Sequence, residues 1–225
     1  MFDELTSLLD DSQSNSTGSV LITSYDFDSN FLLQHFLSYS LRNSIPCAYI
    51  SLLTSFSHLK HVQSKLGQTL KTPDITPSSS LMFIPLFSTL SERYFQAKSQ
   101  LSIDELWLTV MSQLIASPKM IVIEDLQILR HLLKYSERDI LLFYQKLRRL
   151  YPDAQIITQI SISDDEVVEG DDQITSPFIT MLKRIHDKHL IVRNLSTGAT
   201  KDISGQVNSL KTIQFHFHYL LSMLI

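Results

Sequence analysis

The 225-residue chain has a single cysteine, Cys47. That excludes a disulfide scaffold and a zinc site built on cysteines, and it suits a reducing compartment, the cytosol or the nucleus. The start lacks a basic leader: residues 1–11 hold four acids and no Lys or Arg, so no secretory signal is expected. Long apolar runs are missing as well. The uncharged stretches 43–59 and 75–91 are broken by proline and serine, and each falls short of the about 20 apolar residues of a membrane span. A soluble chain is expected. Glycine is scarce, with five residues and no G-x-S-x-G spacing. The nucleophile elbow of serine hydrolases is thereby excluded. No Ser, His and Asp spacing selects a triad.

Apolar residue is plentiful. Hydrophobic residues make up 44% of the chain against 19% charged, and mean hydropathy is +0.05. A chain of this length buries roughly 70% of its unfolded surface, which excludes intrinsic disorder as the overall state. One α/β domain over 18–225, behind a polar lead over 1–17, fits the length. The net charge of −4 is uneven. Residues 164–172 hold six acids and no base, and residues 1–11 hold four more. Without these two runs, 19 basic residues face 13 acidic ones, a balance that permits nucleic-acid contact.

Hydrophobic patterning alternates strand with helix. Gly18–Ser24 reads as a strand, and Ser29–Asn43 as a helix with a broad apolar face. Cys47–Leu53 reads as a buried strand, and Ser57–Leu66 as a helix closed by Gly67. Residues 70–80 read as a loop. Leu81–Phe87 reads as a strand whose Pro85 marks an edge or an irregular end. Ser102 and Glu105 fit a capping box for a helix to about Ser117. Lys119–Glu124 is a buried strand ending in acid, and Ser136 caps a helix whose apolar face runs from Ile140 to Leu150. Ala154–Ile162 is a strand, and Ser176-Pro177 starts a helix to about Asp187. His189–Leu195 and Thr212–Tyr219 read as late antiparallel strands. The order predicts a three-layer α/β domain with a mostly parallel sheet, its crevice at the carboxyl ends of the strands.

The turn after the first strand poses the functional question. A phosphate loop there needs glycines for its wrapped backbone, a Lys for the outer phosphates and a hydroxyl for magnesium. Ser24, Tyr25, Asp26, Phe27, Asp28, Ser29 and Asn30 supply neither glycine nor lysine. Asp26 and Asp28 repel a polyphosphate, at on the order of 1 kcal/mol for charges about 5 Å apart even in water. The strand ending Ile123-Glu124-Asp125 resembles a Walker B element, in which acids serve magnesium and the attacking water. Acids also cap strands and open loops in ordinary α/β proteins. These positions are therefore read as degenerate phosphate-loop and Walker B sites, with no cofactor and no metal assigned. A nucleotide-dependent ATPase with a degenerate site is the alternative.

The stretch Phe31-Leu32-Leu33-Gln34-His35-Phe36-Leu37-Ser38-Tyr39-Ser40-Leu41-Arg42, followed by Ser55-Phe56-Ser57-His58 and Lys65-Leu66-Gly67, resembles the Elongator complex protein 6 family. Ile123-Glu124-Asp125-Leu126 and Phe215-x-Phe217 fit the same pattern. The resemblance implies a RecA-like domain stripped of its nucleotide motifs. It implies assembly with Elongator proteins 4 and 5 into a hetero-hexameric ring of the Elongator complex, which modifies the wobble uridine of tRNA. It places the catalytic chemistry in another subunit and tRNA contact in the assembled ring.

Other residues admit two readings each. Arg130, Lys134, Arg138, Lys146, Arg148 and Arg149 form either a solvated helix face or a contact to RNA phosphates or a neighbouring subunit. His58 and His61, three apart on a helix, lack a third metal ligand at a useful spacing. His216 and His218 alternate with Phe215 and Phe217, as on a half-exposed strand. Met181, Leu182 and Ile185 with the apolar end 219–225 exceed the needs of one small core. They point to an obligate interface.

Overall fold

The computed structural model describes residues 18–25, 29–70, 80–97, 102–114, 117–162, 176–194 and 205–211. Strand β1 (Ser19–Tyr25) leads to helix α1 (Asn30–Arg42), β2 (Cys47–Ser51) to α2 (Phe56–Lys65), and β3 (Leu81–Pro85) to α3 (Leu86–Ala97). Then come α4 (Ile103–Met111), β4 (Met120–Ile123), α5 (Gln127–His131), α6 (Glu137–Leu150), β5 (Gln155–Ile162), α7 (Pro177–Ile185), β6 (Lys188–Asn194) and β7 (Gly205–Lys211). The strands lie in the order β3-β2-β4-β5-β1-β6-β7. The first six run parallel.

Period-2 alternation builds the two faces of this sheet. Leu21, Ala48, Ile50, Ile121, Ile123, Ile156 and Ile160 turn to one side, under α3 to α7. Val20, Ile22, Cys47, Tyr49, Met120, Val122 and Ile157 turn to the other, under α1 and α2. The result is a three-layer sandwich with apolar cores on both faces. α1 and α2 meet through a buried polar link. Ser38 Oγ donates to Gln63 Oε1 at 2.8 Å, and Gln63 Nε2 donates to the Gln34 carbonyl at 2.9 Å.

Local signals set most helix ends. Ser102 and Glu105 form the capping box that the sequence predicts. The Ser136 side chain accepts the Asp139 amide. Gly67 takes φ +80° beyond α2, where Gln68 N donates to Gln63 O at 2.8 Å and Gly67 N to Ser64 O at 3.1 Å, a Schellman closure. Ser176 makes no side-chain cap; α7 starts on Pro177 alone.

Several expectations are corrected. The late antiparallel strands are not found as expected. β6, at Lys188–Asn194, joins β1 in parallel, because α7 crosses over and returns the chain in the sheet's own direction. The strand antiparallel to β6 is β7, at Gly205–Lys211 rather than Thr212–Tyr219, and residues 212–225 lie outside the described residues. The run Leu81–Phe87 is not one strand. Its strand stops at Pro85 on the sheet edge, and α3 starts at Leu86. Leu182 is fully buried, and Met181 and Ile185 pack against the core, so these three are not surplus. The polar lead 1–17 and the apolar end 219–225 lie outside the described residues.

Candidate functional site

In a parallel sheet with helical crossovers, a ligand crevice opens at the carboxyl ends of the strands. Here that edge is built from the ends of β1, β2, β4 and β5. At the β1 end, Ser24 is buried and pairs in register with Ser161 of β5 and Val192 of β6. The Tyr25 ring lies under the Arg193 guanidinium, 4.8 Å from its centroid. Asp26 and Asp28 lie outside the described residues. Ser29 caps α1 by position only. Its buried hydroxyl makes no cap bond and instead accepts Gln159 Nε2 at 2.8 Å. Asn30 opens α1, where its Oδ1 accepts Gln34 Nε2 at 3.5 Å.

Glu124 follows β4 and is buried, 2% exposed. It reaches across to the end of the neighbouring strand β2. Its Oε2 accepts Ser51 Oγ at 2.8 Å and three consecutive amides, Leu52, Leu53 and Thr54, at 2.8, 2.6 and 2.9 Å. Its Oε1 accepts the Thr54 hydroxyl, with the Tyr49 hydroxyl more distant at 3.4 Å. A carboxylate offers about four lone-pair sites, and six donor groups converge on this one, four of them on Oε2. The three amides form a backbone nest, the concavity that binds anions in phosphate sites. In this protein the anion in the nest is the chain's own side chain.

Asp125 turns the other way, towards β5. Its Oδ1 accepts the Ser161 amide at 3.1 Å and the Gln127 amide at 3.0 Å. Burial pushes its carboxyl above the ordinary value, and the Ser161 and Gln127 hydrogen bonds oppose the rise. Both acids that follow β4 are thus structural fastenings, one to β2 and one to β5. Among the described residues no group of three or more His, Cys, Asp or Glu side chains is placed to hold a metal ion. His58 and His61 stand exposed on α2. Cys47 is buried, and burial pushes its thiol up to about 12.

The six basic candidates do not form one patch. Arg130 on α5 and Arg138 at the start of α6, with Lys134 between them at φ +59°, lie on the carboxyl side of β4. Lys146, Arg148 and Arg149 lie near the far end of α6, a 14-residue helix about 20 Å long. Arg130 pairs with Glu137 at 3.1 Å. Lys146 pairs with Asp104 at 2.9 Å and sits 5.8 Å from the Trp107 ring centroid. Arg148 is a fastening at the amino edge of the sheet. It contacts the Ser19 hydroxyl, donates to the Ile185 carbonyl at 3.4 Å and pairs with Asp187 at 3.1 Å. Asp187 in turn accepts the Ser19 amide at 2.6 Å. Burial raises the Asp187 carboxyl, but the Ser19 hydrogen bonds and Arg148 outweigh it and hold the group below its ordinary value. Lys134, Arg138 and Arg149 stand exposed.

Sequence reasoning missed the Glu124 donors and Gln159. Their one local trace is the hydroxyl cluster Ser51, Thr54 and Ser55 at a strand end.

The family model described as Elongation complex protein 6 matches residues 2–216. Elongator complex protein 6 of Xenopus laevis is 27% identical, the match covering 94% of this chain and 86% of that protein. Elongator complex protein 6 of Danio rerio is also 27% identical, covering 97% and 94%. Among solved structures, the flagellar accessory protein FlaH of Methanocaldococcus jannaschii superposes with a TM-score of 0.60 at 14% identity, over 90% of this chain and 84% of that one. An uncharacterized Pyrococcus horikoshii protein, crystallised with an unknown peptide, gives 0.55 at 11%, over 88% and 84%. These two likenesses concern the fold, which is RecA-like. With one family model spanning nearly all of a RecA-like chain whose acid-ended strand is tied off internally, the chain belongs to the Elongation complex protein 6 family.

Proposed function

We propose that this chain is a non-catalytic RecA-like subunit of the Elongator complex. It assembles with Elongator proteins 4 and 5 into a hetero-hexameric ring that supports tRNA binding and wobble-uridine modification, in the cytoplasm and the nucleus. Family membership and the names of the curated relatives support the Elongator assignment. One observation carries the non-catalytic reading: the Glu124 carboxylate is saturated by its own backbone nest and hydroxyls. Magnesium at that position would have to displace at least one of these bonds. The turn after β1 supplies neither the glycines nor the lysine that grip phosphate.

Two measurements test the reading. Coexpression with Elongator proteins 4 and 5, followed by native mass measurement, is expected to give one assembly containing all three chains. A chain that stays monomeric beside them refutes the assembly role. Titration of the isolated chain with labelled ATP and magnesium is expected to show no saturable micromolar binding. Saturable binding, with hydrolysis lost in Glu124→Gln, would establish an ATPase instead.

A further inference from the structure

The two helical layers differ in charge. Residues 29–73, which build α1, β2 and α2, contain no Asp or Glu, although the chain holds 23. The same interval carries Arg42, Lys60, Lys65 and Lys71, with His35, His58 and His61. Lys71 lies outside the described residues. On the opposite layer three cations have acidic partners: Arg130 with Glu137, Lys146 with Asp104, and Arg148 with Asp187. Lys60 and Lys65 stand exposed on α2, and neither pairs with an acid among the described residues. Arg42 joins them. Its guanidinium donates to the Leu66 carbonyl at 3.3 Å, which brings the end of α1 against the end of α2. Burial, and after it the Arg42 charge, holds the His35 imidazole below its ordinary value. That is the mark of a positive field that no acid on these two helices cancels.

The helix dipole favours cations in a last turn, as for Arg42 and Lys65. It does not account for Lys60 in the middle of α2, nor for the missing acid one turn away that would pair with it. Acids do stand at the carboxyl edge of the sheet. Asp26 and Asp28 precede α1, and the run 164–172 follows β5. They join the described fold at the start of α1 and at the end of β5. Arg42 closes α1, a 13-residue helix about 20 Å long. That interval exceeds two Debye lengths of about 8 Å at physiological salt.

The outward residues of α2 are Ser57, His58, Lys60, His61, Ser64 and Lys65. None is apolar and none is acidic. Protein interfaces concentrate their energy in buried aromatic and apolar anchors, and this helix face offers none. A phosphate backbone needs cations for affinity and hydroxyls for position, and the face supplies both.

We propose that the α1–α2 layer, through Arg42, Lys60 and Lys65, is a sequence-independent contact surface for the phosphate backbone of a nucleic acid. The surface belongs to this chain and does not need the ring, so it stands apart from the assembly reading.

The test uses the isolated full chain and labelled single strands of about 20 nucleotides, one of RNA and one of DNA, read by fluorescence anisotropy between about 50 and 200 mM salt. Log Kd is expected to rise by about 2 per unit of log salt, at about 0.7 for each of the three cations. Lys60→Gln combined with Lys65→Gln is expected to cut the slope to about 0.7 with wild-type melting. Lys146→Gln, which removes a lysine already paired with Asp104, is expected to leave the slope unchanged. Similar affinity for the two strands supports a backbone contact, and a strong preference for either overturns it. A wild-type slope in the double variant overturns the proposal. So does the absence of saturable binding to both strands at the lowest salt. Labelled polyglutamate that binds as tightly as the strands, and is released by the same double substitution, refutes a nucleic acid as the occupant and assigns the face to an acidic protein. None of these outcomes depends on coexpression with Elongator proteins 4 and 5, whose failure strikes the ring reading alone.

Discussion

Glu124 shows how one residue type at one place can carry opposite meanings. An acid ending a buried parallel strand is the metal-serving position of a phosphate-binding fold, and the sequence presents it as such. What decides its role is the chain some 70 residues earlier, where Ser51 to Thr54 turn their donors onto it. No local spacing carries that contact. Truncating the side chain leaves these amides without their acceptor. Glu124→Ala should lower stability by about 3 kcal/mol or more, read by urea unfolding. A loss under about 1 kcal/mol would mean that water replaces the carboxylate without penalty. His186 offers a second test at this scale. It is fully buried between Tyr144, whose ring centroid is 4.6 Å away, and the Leu182 carbonyl, which accepts its Nδ1–H at 2.7 Å. Burial pushes its pKa down to about 4; Arg148 adds to the fall, and the Leu182 bond and Asp187 oppose it. A histidine held neutral in the fold binds fewer protons than in the unfolded chain. Its stability contribution is complete above about pH 6.5 and is lost as pH falls towards 4, by up to about 1.4 kcal/mol per pH unit. His189, also held low by burial and the nearby Lys183, His186 and Arg193, acts in the same direction. Urea unfolding of wild type and His186→Gln between pH 7 and 4.5 should show the steeper decline in the wild type.

Among the elements, those with a local start or stop signal were legible and those without were not. Ser102, Ser136 and Gly67 announce their helices through side-chain or φ requirements that act within four residues. α3 was hidden because Leu81 to Phe87 is one apolar run interrupted only by Pro85. Apolarity alone does not distinguish a strand end from the first turn of a buried helix. α5, with five residues, is too short to show a period. β6 was placed correctly but its direction was not, since parallel or antiparallel pairing is set by the crossover and not by the strand. Gly67→Ala tests the closing signal. With φ at +80° and open space around the added methyl, the cost is backbone strain, about 1 kcal/mol. Thermal unfolding should register a small drop. An unchanged midpoint would mean that the turn rearranges freely. Along α6 the basic residues divide by position. If the ring holds tRNA through the exposed ones, Arg138→Gln and Arg149→Gln differ in effect. Removing an arginine that neutralises a phosphate should flatten the dependence of log Kd on log salt by about one unit. Two unchanged slopes would assign both arginines to solvent.

The whole molecule is a three-layer fold on a largely parallel sheet, and it ties off part of its carboxyl edge internally. Parallel strands and layered helices were legible from the alternation of strand and helix. The candidate site was legible as an absence, in the glycine-free turn. The positive content of that edge was not, because it consists of contacts between β4 and its two flanking strands. At the amino edge, Arg148, Asp187 and Ser19 tie α6, the α7–β6 junction and β1 together. A cation suggested for RNA thus serves the sheet.

The strand order also dictates when the protein can be completed. β1 lies near the amino terminus yet pairs only with β5 and β6, whose residues follow it by well over a hundred positions. A ribosome therefore releases β1 with both flanks bare, and they stay so until translation passes residue 155. Such separation slows folding and exposes unpaired edges to neighbouring chains. Synthesis of this subunit thus has a vulnerable interval written into its topology, during which a chaperone has a defined segment to guard.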